Sequence, residues 1–179
     1  SGDDGSDSLI NIGIVDSIVF EGGADDDLFQ NNAEVVTLTF FGDANGAATA
    51  DDGLDTLVNN GLVESLTFWG GAADDILQNN ATVTELLFHG GADEDTLINN
   101  GASIAEIHFS GDDGADTFIN NGSDILAITF EGGADSDALR ILGRNIGSVV
   151  FDAGLGTDSL TYNAIGSTTS SIQYLGGDG

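Results

Sequence analysis

Apolar and polar positions alternate in a pattern that returns roughly every twenty residues along the chain. Each repeat opens with a glycine-rich acidic segment that ends in an aspartate, and an apolar residue follows two positions later. In most repeats an asparagine comes two positions after that, and an aromatic residue closes the repeat. Alternation with a period of two is typical of strands, so each repeat is predicted to contain two short β-strands.

Four columns of equivalent residues keep this register through eight repeats. The aspartates, at intervals of 20, 28, 20, 20, 21, 21 and 21 residues, are Asp7, Asp27, Asp55, Asp75, Asp95, Asp116, Asp137 and Asp158. The apolar column is Leu9, Phe29, Leu57, Leu77, Leu97, Phe118, Leu139 and Leu160. The asparagine column is Asn11, Asn31, Asn59, Asn79, Asn99 and Asn120, followed by Ile141 and Tyr162. The aromatic column is Phe20, Phe40, Phe68, Phe88, Phe109, Phe130, Phe151 and Tyr174.

These columns predict how the repeats pack. Neither strand of a repeat can bury its apolar face alone, whereas stacked repeats enclose a continuous interior. We therefore expect an all-β fold, a parallel β-solenoid of about eight two-strand coils, right-handed by the crossover rule. An antiparallel β-sandwich is the alternative, but it does not explain the shared phase. The asparagines are expected to form an inward amide ladder, and the aromatic residues a stacked core.

The single long interval contains residues 42–53. We expect this segment to be a loop inserted at one corner of a single repeat domain that spans residues 1–179.

The charge of the chain excludes several classes of partner. Its 31 acidic residues face only Arg140 and Arg144, for a net charge of -29. Nucleic acid and anionic membrane surfaces would be repelled, and no apolar stretch is long enough to insert into a membrane. Because the chain has no cysteine, disulfides and thiolate metal sites are excluded as well.

Most of the acidic residues lie in the glycine-rich corners rather than on the strands. Stacking would place corner aspartates of neighbouring coils about 5 Å apart, where each pair repels by roughly 1 kcal/mol in water. Two arginines cannot offset a column of such pairs, so protons or bound cations must. Calcium accepts carboxylate and carbonyl oxygens in a flexible turn, whereas zinc prefers histidine or cysteine, and His89 and His108 lack a ligand spacing.

Three corners, "GDDGSDSLI" (2–10), "GDDGADTFI" (111–119) and "AGLGTDSLT" (153–161), resemble the RTX nonapeptide of hemolysin-type calcium-binding repeats. The resemblance implies right-handed parallel coils with Ca²⁺ held between successive glycine corners. It also implies that the eight column aspartates occupy the metal-binding position, three of them directly and the others by register. Further candidate ligands in the same corners are Asp4, Asp25, Asp93 and Asp135. Four corners replace the fourth-position glycine of the motif, with Asp25, Ala73, Asp93 and Asp135.

The resemblance implies an extracellular or cell-surface bacterial protein that folds on meeting calcium. Our leading hypothesis is a non-enzymatic, calcium-stabilised structural module, such as an adhesin stalk, a surface-layer element or a filament subunit. Both chain ends fall within the corner motif, so we also expect head-to-tail self-association through uncapped ends.

Two alternatives remain at this level. The first is a polysaccharide-binding or polysaccharide-cleaving β-helix that uses Arg140 and Arg144, although we expect these arginines to form ion pairs with nearby acids. The second is an ice-binding solenoid, for which the outward row after the aspartates is too irregular. That row is Ser8, Leu28, Thr56, Ile76, Thr96, Thr117, Ala138 and Ser159.

Overall fold

The computed structural model describes residues 2, 5–43, 53–163 and 168–177. Within these residues the chain forms two parallel sheets of eight strands each. The first sheet consists of β1 (Ser8–Asn11), β3 (Leu28–Asn31), β5 (Thr56–Asn59), β7 (Ile76–Asn79), β9 (Thr96–Asn99), β11 (Thr117–Asn120), β13 (Ala138–Ile141) and β15 (Ser159–Tyr162). The second consists of β2 (Val15–Gly23), β4 (Val35–Asp43), β6 (Val63–Gly71), β8 (Val83–Ala92), β10 (Ile104–Asp113), β12 (Ile125–Ala134), β14 (Ile146–Gly154) and β16 (Ser171–Gly176).

Strands pair only with their equivalents in the neighbouring coils, and every pairing among the described residues is parallel. In the first sheet Leu77 lies between Leu57 and Leu97. In the second sheet Phe88 lies between Phe68 and Phe109. The register is therefore the register of the sequence repeat, and the predicted parallel β-solenoid is confirmed, whereas the antiparallel sandwich is wrong.

The two apolar columns fill the space between the sheets. Consecutive phenylalanine rings of the second sheet stack nearly parallel, with centroids 4.8 Å apart for Phe40 and Phe68 and 5.0 Å apart for Phe130 and Phe151. Phe29 and Phe118 of the first sheet approach this stack edge-on. The stacked aromatic core that the sequence predicts is thereby confirmed.

The asparagine column forms the predicted inward ladder. Asn31, Asn59, Asn79, Asn99 and Asn120 are fully buried. From Asn11 onward, each side-chain Nδ2 donates to the Oδ1 of the asparagine in the following coil, at 2.8–2.9 Å. The ladder ends at Asn120, and Ile141 continues the same buried column as an apolar residue. Inward orientation explains how an isoleucine can replace an asparagine here.

The long interval lies between β4 and β5. Both strands keep the register of the repeat, since β5 pairs with β3 and β4 pairs with β6. Residues 44–52 lie outside the described residues, as does Asp4. The start of the predicted loop needs correction, since Gly42 and Asp43 are the last two residues of β4. Asp43 is buried, and its Oδ2 accepts a hydrogen bond from the Ala72 N–H of the next coil at 3.1 Å.

The acidic corners contain left-handed backbone at two positions of the motif. The second position is glycine in most coils, and Asp112 takes its place with a φ of 75°. The fourth position has a φ of 68–74° even where glycine is missing, at Asp25, Ala73, Asp93 and Asp135. Aspartate tolerates this conformation through local hydrogen bonding, whereas alanine has no such compensation.

Replacing Ala73 with glycine is therefore expected to raise the free energy of unfolding by about 1 kcal/mol. The left-handed backbone strains an alanine, and glycine adopts it freely. Ala72→Gly is the matched control, because Ala72 does not have a positive φ and glycine there only adds freedom to the unfolded chain. Urea unfolding of both variants checks this. A variant at position 73 no more stable than the one at position 72 would show that the corner is not strained.

Candidate functional site

The aspartate column lies inside the solenoid, directly beside the core. Six of its members are at most 2% exposed, namely Asp27, Asp55, Asp75, Asp95, Asp116 and Asp137. The two terminal members, Asp7 and Asp158, are half-buried. Each aspartate is the residue just before a strand of the first sheet, so the alternation that buries the following apolar residue also buries the carboxyl group. The corner is thus a row of buried carboxyl groups.

From Asp27 onward, one oxygen of each carboxyl group accepts a hydrogen bond from the preceding coil. The Oδ1 of Asp95 accepts a hydrogen bond from the backbone N–H of Asp75 at 2.8 Å, and that of Asp116 accepts from Asp95 at 2.8 Å. The same bond recurs along the whole column, from the Asp7 N–H to the Oδ1 of Asp158, at 2.6–2.9 Å. The aspartates therefore join successive coils through backbone N–H donors that would otherwise be buried and unpaired.

In five of these carboxyl groups the other oxygen is buried without a hydrogen-bond partner. This holds for the Oδ2 atoms of Asp27, Asp75, Asp95, Asp116 and Asp137. Each lies over the Cα of the glycine that opens its own corner. A Cβ built on Gly70 would stand 2.1 Å from the Oδ2 of Asp75 and 2.7 Å from the carbonyl oxygen of Gly90 in the next coil. A carboxyl oxygen and a carbonyl oxygen therefore face one small space that only a glycine leaves open.

Burial makes these carboxyl groups hard to ionise. Loss of solvation, with a smaller contribution from neighbouring carboxylates, raises the pKa of Asp75 to about 9 and that of Asp95 to about 8. The same causes raise the pKa of Asp116 to about 7 and that of Asp137 to about 6. The hydrogen bond from the preceding backbone N–H acts in the opposite direction but is weaker than burial. A buried row of this kind needs a proton or a cation at each level.

The other predicted ligands lie on the outside of the corner. Asp25, Asp93 and Asp135 are exposed, and they occupy the left-handed fourth position of the motif. The structure therefore separates the predicted set into a buried inner row and an exposed outer row. Within residues 5–43, 53–163 and 168–177, no three side chains of His, Cys, Asp or Glu are grouped closely enough to hold one metal ion. Any cation at the inner row would rely on backbone oxygens and water for most of its ligands.

A second amide ladder, which the sequence reasoning missed, runs along the surface beside the inner one. The exposed side chain of Asn60 donates to Asn32, Asn80 to Asn60, and Asn100 to Asn80, at 2.8–2.9 Å. Asn121 continues the row by donating to Asn100 at 2.9 Å. Each outer asparagine donates to the preceding coil, whereas each inner one donates to the following coil. The repeated Asn-Asn pair was the available signal in the sequence.

The outer face of the second sheet holds the single tryptophan. Trp69 stacks on His89 of the next coil, with ring centroids 3.7 Å apart. They line an open cleft of about 300 Å³, together with the corner glycines of both coils and Asp112. Burial, followed by the nearby His108, lowers the pKa of His89, so its imidazole is neutral at pH 7. The cleft thus offers aromatic edges and a carboxylate.

Comparison with protein-family models, with curated proteins and with solved structures finds no match to this chain.

The residues of the two alternative functions also have defined places. Arg140 is exposed on β13. The backbone N–H of Arg144 donates to the Ser123 Oγ at 3.0 Å. The expected ion pairs are wrong for the described residues, in which neither guanidinium meets a carboxylate.

The row after the aspartates lies on the outer face of the first sheet, where Leu28, Ile76 and Ala138 interrupt its hydroxyl groups. No helix in the described part of the chain is long and apolar enough to cross a membrane.

Proposed function

We propose that this chain is a non-enzymatic structural repeat module whose acidic corner binds Ca²⁺ between successive coils. The observation that carries the proposal is the row of buried Oδ2 atoms without hydrogen-bond partners. A polar atom in that position destabilises the fold by about 1–3 kcal/mol unless something satisfies it, and by more when it is charged. Five such atoms occur along the column, and those of Asp27, Asp75, Asp116 and Asp137 lie close to a carbonyl oxygen of the next coil.

The donor atoms of the corner fit calcium in type. The inner row supplies carboxylate oxygens, and Gly42, Gly90, Gly132 and Ala153 supply the neighbouring carbonyl oxygens. These are hard oxygen ligands in glycine-rich turns, as calcium prefers. Bound calcium would supply positive charge that compensates the buried carboxylates and joins adjacent coils. The resemblance to RTX repeats points to the same ion, and in such an arrangement the metal has a structural role.

Removal of calcium tests the proposal. We expect a chelator at neutral pH to lower the melting temperature by several degrees, since about 1 kcal/mol shifts it by 2–4 °C in a chain of this size. Circular dichroism and calorimetry with calcium, magnesium or chelator provide the measurement. Asp95→Asn should bind less calcium. The control is Asp152→Asn, because Asp152 is an exposed residue of β14, two coils further along the chain. This variant should bind as much calcium as the parent chain. Equal melting temperatures with calcium and with chelator would exclude the calcium site.

A structural role agrees with the continuous stack of coils and its regular core. We infer from the resemblance to RTX repeats that the protein is displayed outside the cell, in a stalk, layer or filament. Copies of the chain would associate head to tail through their terminal coils. Light scattering with and without calcium, over a range of protein concentrations, distinguishes such filaments from single rods.

A ligand on the cell surface, such as a neutral polysaccharide, is a second candidate. The Trp69–His89 cleft favours it, because the aromatic edges and Asp112 carboxylate suit an uncharged hydroxylated ligand, while the net charge of -29 repels anions. Trp69 is the only tryptophan, so its fluorescence reports binding of neutral oligosaccharides directly.

A further inference from the structure

The outer asparagine ladder contains three Asn-Gly steps, at Asn60–Gly61, Asn100–Gly101 and Asn121–Gly122. In an unstructured chain such a step reacts with itself. The glycine backbone nitrogen bonds to the asparagine Cγ, the Cγ–Nδ2 bond breaks, and ammonia leaves with the proton of that nitrogen. Water then opens the cyclic imide to aspartate or isoaspartate. Glycine permits this attack because it has no side chain to hinder the ring closure.

The folded coils hold both reacting groups in hydrogen bonds to other residues. The Gly101 N–H donates to the Oδ1 of Asn99 at 3.1 Å, and the Gly61 N–H donates to that of Asn59 at 3.3 Å. These inner asparagines therefore keep the attacking nitrogen directed toward the interior, and all three glycines of the Asn-Gly steps are buried. The inner ladder therefore restrains the nucleophile at Gly61 and Gly101, and at Gly122 the backbone oxygen of Asn99 does so by accepting from the N–H at 3.2 Å.

The outer ladder restrains the electrophile. The Asn100 amide donates to Asn80 and accepts from Asn121, so both of its ends are fixed. Asn60 is held in the same way between Asn32 and Asn80. Asn121 differs, because Leu142 occupies the next position of the row and the ladder ends there. It donates to Asn100, but the following coil brings no amide to its Oδ1.

We propose that the Asn-Gly steps of the outer ladder form a covalent self-modification site that stays closed while the coils are stacked and reacts when a coil opens. The conversion would hinder reclosure. A carboxylate at position 100 could no longer donate to the Asn80 Oδ1, and two acceptor oxygens would face each other. It would also add negative charge to a chain whose net charge is already -29. The reaction is irreversible, so converted residues mark chains in which a coil has opened.

The test is the rate of conversion at each step, followed by peptide mapping with mass spectrometry at mildly alkaline pH. In the folded chain we expect Asn60 and Asn100 to react at least about tenfold more slowly than in urea, because reaction requires local opening. Asn121 should be the fastest of the three in the folded chain, and all three should react at similar rates in urea.

A pair of variants at the end of the ladder separates the effect of the ladder from general mobility. Leu142→Asn adds a rung that can donate to the Asn121 Oδ1, and should slow its conversion to the rate of Asn100. Leu142→Ala removes the same side chain without adding a donor, and should leave Asn121 as reactive as before. Equal rates for all three steps in the folded chain and in urea, or an Asn100 faster than Asn121, would overturn the proposal.

Discussion

Replacing Gly90 with alanine is expected to destabilise the solenoid by about 3 kcal/mol or more, since inserting a methyl group into a close-packed interior forces neighbouring atoms apart. The added Cβ would stand 2.1 Å from the Oδ2 of Asp95, far inside contact distance. Neither group has room to move, because the Asp95 Oδ1 is fixed by the Asp75 N–H. Chemical denaturation, compared with the parent chain under the same conditions, measures the effect.

A second substitution shows whether the clash is with the carboxyl group. Asp95→Ala alone leaves the Asp75 N–H without its acceptor, at a cost of about 1–3 kcal/mol. In the double variant Gly90→Ala, Asp95→Ala, the new methyl group enters space that the carboxyl group has vacated. The Asp95 Cβ still stands 2.9 Å from the new methyl group, so we expect Asp95→Ala to remove most, but not all, of the loss that Gly90→Ala causes, with a coupling of about 2 kcal/mol. Purely additive losses would mean that Gly90 is required for another reason.

Gly13→Ala is the matched control. A Cβ on Gly13 meets no atom within 4 Å, and this residue does not have a positive φ. Its substitution should change the free energy of unfolding by no more than about 0.5 kcal/mol.

In the absence of calcium, the chain is expected to be most stable near pH 4 and to lose stability as the pH rises toward 9. The folded chain raises the pKa of Asp137 to about 6 and that of Asp75 to about 9, above the ordinary value of 3.8. It therefore binds protons more tightly than the unfolded chain does. This stabilisation is complete below the unfolded pKa and disappears as the pH rises through the folded values. Each carboxyl group loses about 1.4 kcal/mol per pH unit within that window, so several together rival the whole stability of a domain.

Calcium and one substitution should each flatten this dependence. Bound calcium would compensate the ionised row, so the loss between pH 5 and pH 9 should shrink when calcium is present. Asp75→Asn keeps an Oδ1 acceptor for the Asp55 N–H and places an amide donor beside the Gly90 carbonyl oxygen. Without calcium, at pH 9, it should be more stable than the parent chain. Thermal melts in chelator across this range measure both effects, and stability that rises with pH would contradict the assignment of the buried row.

The sequence predicted the solenoid because each column has one invariant requirement. Phe88 and Leu77 must pack on their equivalents, and only a shared phase allows this, so register and strand direction followed from spacing alone. The inward asparagines were also predictable, since Ile141 can replace an asparagine only at a buried position. The register, the strand direction and the inward asparagines could all be predicted because each depends on residues that recur from coil to coil.

The corner was harder to predict, because charge suggests exposure. Asp93 and Asp95 lie two residues apart in one acidic cluster. Asp93 is exposed, whereas Asp95 is buried. The burial of Asp95 follows from the alternation of the next strand, in which Leu97 is also buried. The glycine-rich segment before it obscured this pattern. The pairing of Gly90 with the Asp95 carboxyl group could not be predicted at all, since it depends on atomic separation.

The opposite donor directions of the two asparagine ladders have an electrical consequence. Amide groups aligned head to tail add their dipoles along an axis, so that partial charges accumulate at the two ends, as in a helix. The inner ladder donates toward the C-terminal end of the rod and the outer ladder toward the N-terminal end. The dipoles of the two side-chain ladders therefore oppose each other, so these side-chain amides add little net charge at the ends of the rod as coils are added. A rod of this design can be lengthened coil by coil without accumulating charge from its asparagine side chains.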